Sequence, residues 1–191
     1  EISFHKGVPV QIGETELSAV NLVEQLNSLG GTYGIGRSDH VEDRLVGIKS
    51  RELYEAPAAV LLHTVHKALE SITLSRRQLR MKQHISEEYA ELIYDGHWFS
   101  RHHQDLASYV ISTQRNVSGS VRLKLHRGTI TITGRKSDES LYDYGLATYD
   151  RNDTFDQSSS VGFIDIWGLQ TRVQAKKQLL NKTDILKIAH S

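Results

Sequence analysis

The sequence predicts an α+β fold: an antiparallel sheet packed with helices, followed by a C-terminal amphipathic helical tail. Three observations carry that prediction. SGSVRLKLHRGTITITGR alternates strictly, with Val121, Leu123 and Leu125 and then Ile130 and Ile132 on one side, which is the period-2 signature of a half-buried hairpin. The stretches 20–29 and 57–74 instead repeat their apolar positions at helical intervals. Residues 170–191 scatter Val173, Leu179, Leu180, Ile185, Leu186 and Ile188 among Lys and Gln, too few for a separate core and enough for an apolar stripe that needs a partner.

Composition narrows the class. The 191 residues carry 23 basic and 23 acidic side chains, so no electrostatic footprint for nucleic acid or an anionic membrane surface is expected. Cysteine is absent, which excludes disulfides and Cys-based zinc sites. No apolar stretch approaches the ~20 residues that span a bilayer, and EISFHKGVPV lacks the apolar centre of a secretory signal. A cytoplasmic enzyme or binding protein is the expectation. With no initiator methionine and a strand-like pattern from its second residue, the chain is expected to be part of something longer.

In order along the chain, Ile2–Phe4 and Val8–Ile12 read as two short strands around His5, Lys6 and Gly7. Ser18 offers an N-cap, Val20, Leu22, Val23, Leu26 and Leu29 supply a helix, and Gly30 with Gly31 is expected to end it. The turn GGTYGIG lacks both the third glycine of a dinucleotide fingerprint and a GKS or GKT, so it reads as a helix exit needing positive φ. Beyond Pro57, Val60, Leu61, Val65, Ala68, Leu69 and Ile72 predict a helix to about Leu74. His63 and His66 are three apart but lack a third ligand at metal-binding spacing, and they read, like His102 and His103, as satisfied or solvent-facing histidines. A basic helix over Ser75–His84, a further helix stopping at Gly96, and one over Gln104–Asn116 follow. Tyr94, Trp98 and Phe99 read as packing aromatics. A last helix is expected from about Ser158, carrying Val161, Phe163, Ile164 and Trp167.

One stretch resists these patterns. GRSDHVEDRLVGIKSRELYEAP, from Gly36 to Pro57, sets the acids Asp39, Glu42, Asp43, Glu52 and Glu55 against the bases Arg37, Arg44, Lys49 and Arg51. Its apolar run is short and broken by Gly47, so it fits a core-crossing strand poorly and reads from charge alone as a solvated loop leading into a helix. Yet GxGRxDxVExRxVGxKSRxxYExP resembles the substrate-binding segment of the argininosuccinate synthase family. EYAELIYxGxWF and GRxSxxSLYxxxLATY, the latter from Gly134, are similar to that family too, and the resemblance runs from Ile2 to about Leu169. His40, Asp43, Arg101 and Asp138 depart from the family pattern. A second carboxylate beside Glu42 is expected to raise its pKa where both are poorly solvated.

What the resemblance implies is specific. Glu42 and Tyr54, twelve positions apart, would contact citrulline; an ionised carboxylate suits its ammonium and ureido donors, and a phenol adds a flat ring and one hydroxyl. Residues 1–169 would form the synthetase domain, incomplete at its N-terminus, and 170–191 a tail that clasps neighbouring subunits of a homotetramer. The family joins citrulline to aspartate at the expense of ATP, with Mg2+, releasing AMP and pyrophosphate on the way to arginine. Its nucleotide loop, SGGxDS, does not occur here, so ATP would be held by an N-terminal domain and this chain alone would be inactive. No catalytic residue, metal ligand or nucleotide-binding residue is expected within it. The alternative is a non-catalytic assembly module that binds no ligand; a regulatory relative binding citrulline or arginine without catalysis is a third possibility.

Overall fold

The computed structural model describes residues 1–147 and 156–179. They fall into two compact units that divide between Tyr142 and Asp143. The boundary expected at residue 169 lies inside the second unit, and residues 180–191 of the expected tail lie outside the described residues.

The first unit is α+β, as the sequence predicts. Strands β1 (Ile2–His5), β2 (Val8–Ile12), β3 (Thr15–Glu16), β6 (Gly119–His126) and β7 (Thr129–Lys136) make one antiparallel sheet in the order β3-β2-β1-β6-β7. Both expected hairpins form. Their turns, Lys6–Gly7 and Arg127–Gly128, have both central residues at positive φ, the backbone that matches the right-handed twist of the strands. Each turn is also fastened from outside: the Gly7 amide donates to Val117 O and the Gly128 amide to Tyr33 O, both at 2.7 Å.

Helices α1 (Ala19–Thr32) and α2 (Pro57–Thr73) cover one face of this sheet. The core gathers Ile2, Phe4 and Val121 from the strands, Leu22 and Leu26 from α1, and Leu61, Val65 and Leu69 from α2. Each large side chain buried there contributes roughly 1.5–3 kcal/mol. The opposite face of β6 and β7 shows Arg122, Lys124, Thr129, Thr131 and Thr133 to solvent, as expected of a sheet covered on one side.

Helix α1 forms where the apolar spacing predicts it, with Leu22, Leu26 and Gly30 buried and Val20, Val23 and Leu29 exposed, and only its expected end is corrected. The helix runs past Gly30 and Gly31. Its end is made by Gly34, at φ 71°, with Ile35 N donating to Gly30 O and Gly34 N to Gly31 O, the paired bonds that close a helix on a left-handed residue. Gly30 is needed for packing instead, since a Cβ there would lie 2.8 Å from Pro57 Cβ.

Helix α3 (Arg76–Tyr94) is one continuous helix where the sequence suggested two. Ser75 and Gln78 form a reciprocal capping box at its start, and at its end His97 N donates to Leu92 O and Gly96 N to Ile93 O. Helix α4 (Arg101–Thr113), extended by a 3-10 turn over Gln114–Asn116, packs beside it. The pair is tied to the core through Glu70 of α2, which is 4% exposed. Glu70 Oε1 receives Lys82 Nζ of α3 at 3.0 Å and Gln114 Nε2 at 2.8 Å, while Gln114 Oε1 meets His66 Nε2 at 2.8 Å.

In the second unit, α5 (Tyr144–Ala147), α6 (Ser159–Trp167) and α7 (Leu169–Gln174) lead into a π-helical turn over Ala175–Leu179. Asp156 accepts from Ser158 N and Oγ just before α6. Val161, Phe163, Ile164, Ile166, Trp167, Leu169 and Val173 are all exposed. Among the described residues, no helix is long and apolar enough to cross a membrane.

Candidate functional site

The resistant stretch, 36–57, is neither loop nor core strand. It is a second, two-stranded sheet of β4 (Arg37–Asp43) and β5 (Lys49–Glu55) that stands on the rest of the unit. Its base is fixed at Gly36, whose carbonyl accepts from Ala56 N at 2.9 Å. Gly36 has φ 82°, and a Cβ on it would lie 2.6 Å from the Ala56 carbonyl carbon, so only glycine lets the two strands close this tightly beside buried Ile35 and the start of α2. The broken apolar run, Leu45–Ile48, is the exposed tip.

Alternation along the strands sorts the charges onto two faces. One face holds Arg37–Glu55 at 3.1 Å, Lys49–Asp43 at 2.5 Å and a two-pronged pair of Arg51 with Asp39 at 2.9 and 2.6 Å. On the other, Arg44 reaches back to Glu52 at 2.6 Å and to Ser50 Oγ at 3.0 Å. All four bases are then used. Glu42 is the acid left over, the one carboxylate of the five with no ion-pair partner among the described residues.

Two neutral donors hold it. Tyr54 Oη donates to Glu42 Oε2 at 3.0 Å and Tyr94 Oη to Glu42 Oε1 at 2.5 Å. Glu42 pairs with Ser50 and Tyr54 with Ser38, which puts Glu42 and Tyr54 on one face, four registers apart and within reach through long side chains. The structure therefore brings both expected site residues together. His40 stacks on the Tyr54 ring at 5.2 Å between centroids.

Tyr94 is a finding that sequence reasoning missed. It is 54% exposed rather than packed, and it reaches Glu42 from the last turn of α3, where the stop at Gly96 fixes its direction. Phe99 is likewise no packing residue, at 97% exposure, whereas Trp98 does stack on His103 at 4.3 Å. The usable signal for Tyr94 was its position immediately before the helix stop DG, at the rim of an apolar face.

The pKa pattern reverses the expectation about Asp43. The Tyr94 hydroxyl first, then that of Tyr54, holds Glu42 below the usual carboxylate range, against some desolvation and the Glu52 charge. Adjacent strand residues point to opposite faces, and Asp43 is occupied by Lys49 there. Both phenols are pushed up, chiefly by their bond to the Glu42 carboxylate. Across physiological pH the site is an ionised carboxylate gripped by two protonated phenols. Arg44 acts on Glu42 only at longer range, and a carboxylate without an ion-pair partner, with lone pairs free, can accept from an ammonium or amide donor.

The Gly-rich turn before the ribbon does not offer its amides to a phosphate. In the turn Gly30–Gly36, the amides of Tyr33, Gly34 and Ile35 donate to Gly30 O and Gly31 O, so they are already used where a phosphate would need them. No group of three or more His, Asp or Glu among the described residues is arranged to hold a metal ion. His66 is drawn into the Gln114 bond, and burial lowers its pKa.

Comparison with known proteins adds the lineage. The family model described as Arginosuccinate synthase C-terminal domain matches residues 1–174. The argininosuccinate synthase of Dehalococcoides mccartyi strain 195 is 54% identical over 178 residues, which is 93% of this chain and 44% of that protein. Argininosuccinate synthases from two further strains of the species are 53% identical over the same coverage. The chain thus spans less than half the length of the curated relatives it matches.

Proposed function

The chain belongs to the argininosuccinate synthase C-terminal domain family, and on that premise we propose that it supplies part of the citrulline site of an ATP-dependent carbon–nitrogen ligase. In that enzyme citrulline and aspartate are joined to argininosuccinate, with release of AMP and pyrophosphate, as a step of arginine biosynthesis. The supporting observation is Glu42, the unpaired acid of a segment whose other charges all pair, held by neutral Tyr54 and Tyr94. ATP with Mg2+ would be bound outside these residues, so this chain contributes orientation and not activation. Fixing an amino-acid substrate in reacting geometry is itself a large share of a two-substrate reaction's acceleration.

Within the site, Glu42 accepts from the ligand's cationic or amide donors, and Tyr54 offers a ring face and a hydroxyl at its edge. The exposed apolar residues of α6 and α7 support an assembly role for the second unit, in a cytoplasmic homotetramer that residues 170–191 complete. Calorimetry of citrulline with the full-length enzyme and its Glu42→Gln and Tyr54→Phe forms tests the site. Weakened binding in both variants is expected. Unchanged affinity in both would leave the assembly module as the function of this chain.

A further inference from the structure

We propose that Tyr94 is the positioning residue of this site, the fixed donor that aims the Glu42 carboxylate, while Tyr54 is the exchangeable donor that turns to the ligand. This division of labour rests on the citrulline site proposed above. The two phenols take different oxygens of one carboxylate, Tyr94 the Oε1 at 2.5 Å and Tyr54 the Oε2 at 3.0 Å. They come from unlike supports. Tyr94 ends a 19-residue helix whose last turn is anchored by buried Leu92 and closed by the bonds of Gly96 and His97. Tyr54 rides on an exposed two-stranded ribbon, a structure marginal in isolation, and its ring lies against His40.

Tyr94 reaches Glu42 from outside the ribbon, and its hydroxyl also lies 3.5 Å from the Asp43 carbonyl oxygen. Its one proton goes to Oε1, so what Tyr94 fixes is the Glu42 side chain. An arriving donor needs one carboxylate oxygen. The geometry points to Oε2, because releasing Tyr54 costs a longer bond on a softer support, and the freed hydroxyl stays beside the ligand. Glu42 then keeps its orientation through Tyr94 during exchange. Preorganisation of this kind lowers the ordering cost of binding.

The full-length enzyme with Tyr94→Phe, Tyr54→Phe or Glu42→Gln tests the assignment through citrulline KM, kcat and the pH profile of kcat/KM. Tyr94→Phe keeps the ring and removes one hydroxyl. It is expected to raise citrulline KM about fivefold to tenfold with kcat little changed, the loss of one hydrogen bond to an ionised but solvent-accessible group. It should also move the acidic limb of the profile to higher pH, and by more than Tyr54→Phe does, since Tyr94 is the larger cause of the depressed Glu42 pKa. A merely structural hydroxyl would not move that limb. The positioning role is overturned if Glu42→Gln raises KM while Tyr94→Phe leaves KM and the limb in place, or if Tyr54→Phe moves the limb further. Should Glu42→Gln itself leave citrulline KM unchanged, the site falls and the role of Tyr94 falls with it.

Discussion

Glu70 and Glu42 are both carboxylates held by several donors, and they are built for opposite ends. Glu70 is buried, and the Lys82 ammonium that answers its charge is part of the same chain; nothing further is wanted there. Glu42 sits on a solvent-facing strand, and its donors are phenols that orient it without neutralising it. A paired buried charge joins helices, whereas an oriented carboxylate with no ion-pair partner among the described residues leaves lone pairs open to a donor from outside, which is what the proposed site requires.

The sharpest way to break that contrast is at Lys82. Lys82→Met leaves Glu70 buried without its cation and is expected to lower unfolding free energy by about 3 kcal/mol, read from urea denaturation of the chain. Adding Glu70→Leu should restore most of the loss. A neutral Lys82→Met would mean that Glu70 is not the closed, structural carboxylate described.

Next in size is Gly36→Ala. Its φ of 82° and the 2.6 Å approach to Ala56 predict about 1–3 kcal/mol of strain, spent at the base of the ribbon. Amide exchange at β4 and β5 should accelerate while that of β1, β6 and α2 is retained. Equal acceleration everywhere would show that the ribbon is not a separable element.

A smaller effect follows from pH. Burial lowers the His66 pKa below its ordinary 6.5, so the unfolded chain takes up the proton first and the folded one later. Stability should then fall as pH drops below 6.5 and level off once the depressed folded value is passed. The groups facing His66 are Gln114, Glu70, Lys82, His63 and the Phe4 ring. A set of urea midpoints between about pH 7.5 and about pH 5 checks this, with His66→Gln expected to flatten the slope. Glu42 behaves differently: its pKa is depressed from 4.5, so its bonds persist through that range and weaken only as pH falls through the lower folded value. Smallest of all should be the shift of the unfolding midpoint in Glu42→Gln, because the group is solvent-accessible and the amide oxygen still accepts from a phenol. A clear loss of stability would put Glu42 in the same class as Glu70.

Legibility in the sequence followed hydrophobic contrast. The Val121–Ile132 hairpin, α2 and the Ser18 cap were readable because apolar spacing or a short polar cap announces them. The ribbon of β4 and β5 was not, because its alternation is of charge, Asp39 and Arg51 against Glu42 and Ser50, and apolar periodicity is blind to that. Even so, its surplus of one acid was visible before any coordinates; which acid it is required the register. Where α1 ends depended on whether Gly30 was wanted for its backbone or for its lack of a side chain, and only the approach of Pro57 decides that. Tyr94 lies 52 positions from Glu42, a juxtaposition that no local pattern encodes.

The tight turns at Lys6–Gly7 and Arg127–Gly128 are stitched to Val117 and Tyr33, and this reverses the usual advice for protein engineering. Loop tips ordinarily tolerate new termini or inserted tags, but opening the chain at either of these would cut a tie to a neighbouring segment. Among the described residues, the backbone bonds at the Leu45–Val46 tip stay within its own turn, Arg44 N to Ile48 O and Gly47 N to Arg44 O. The tip is therefore the place to graft an epitope or a dye, at the far end of the ribbon that carries Glu42 and Tyr54.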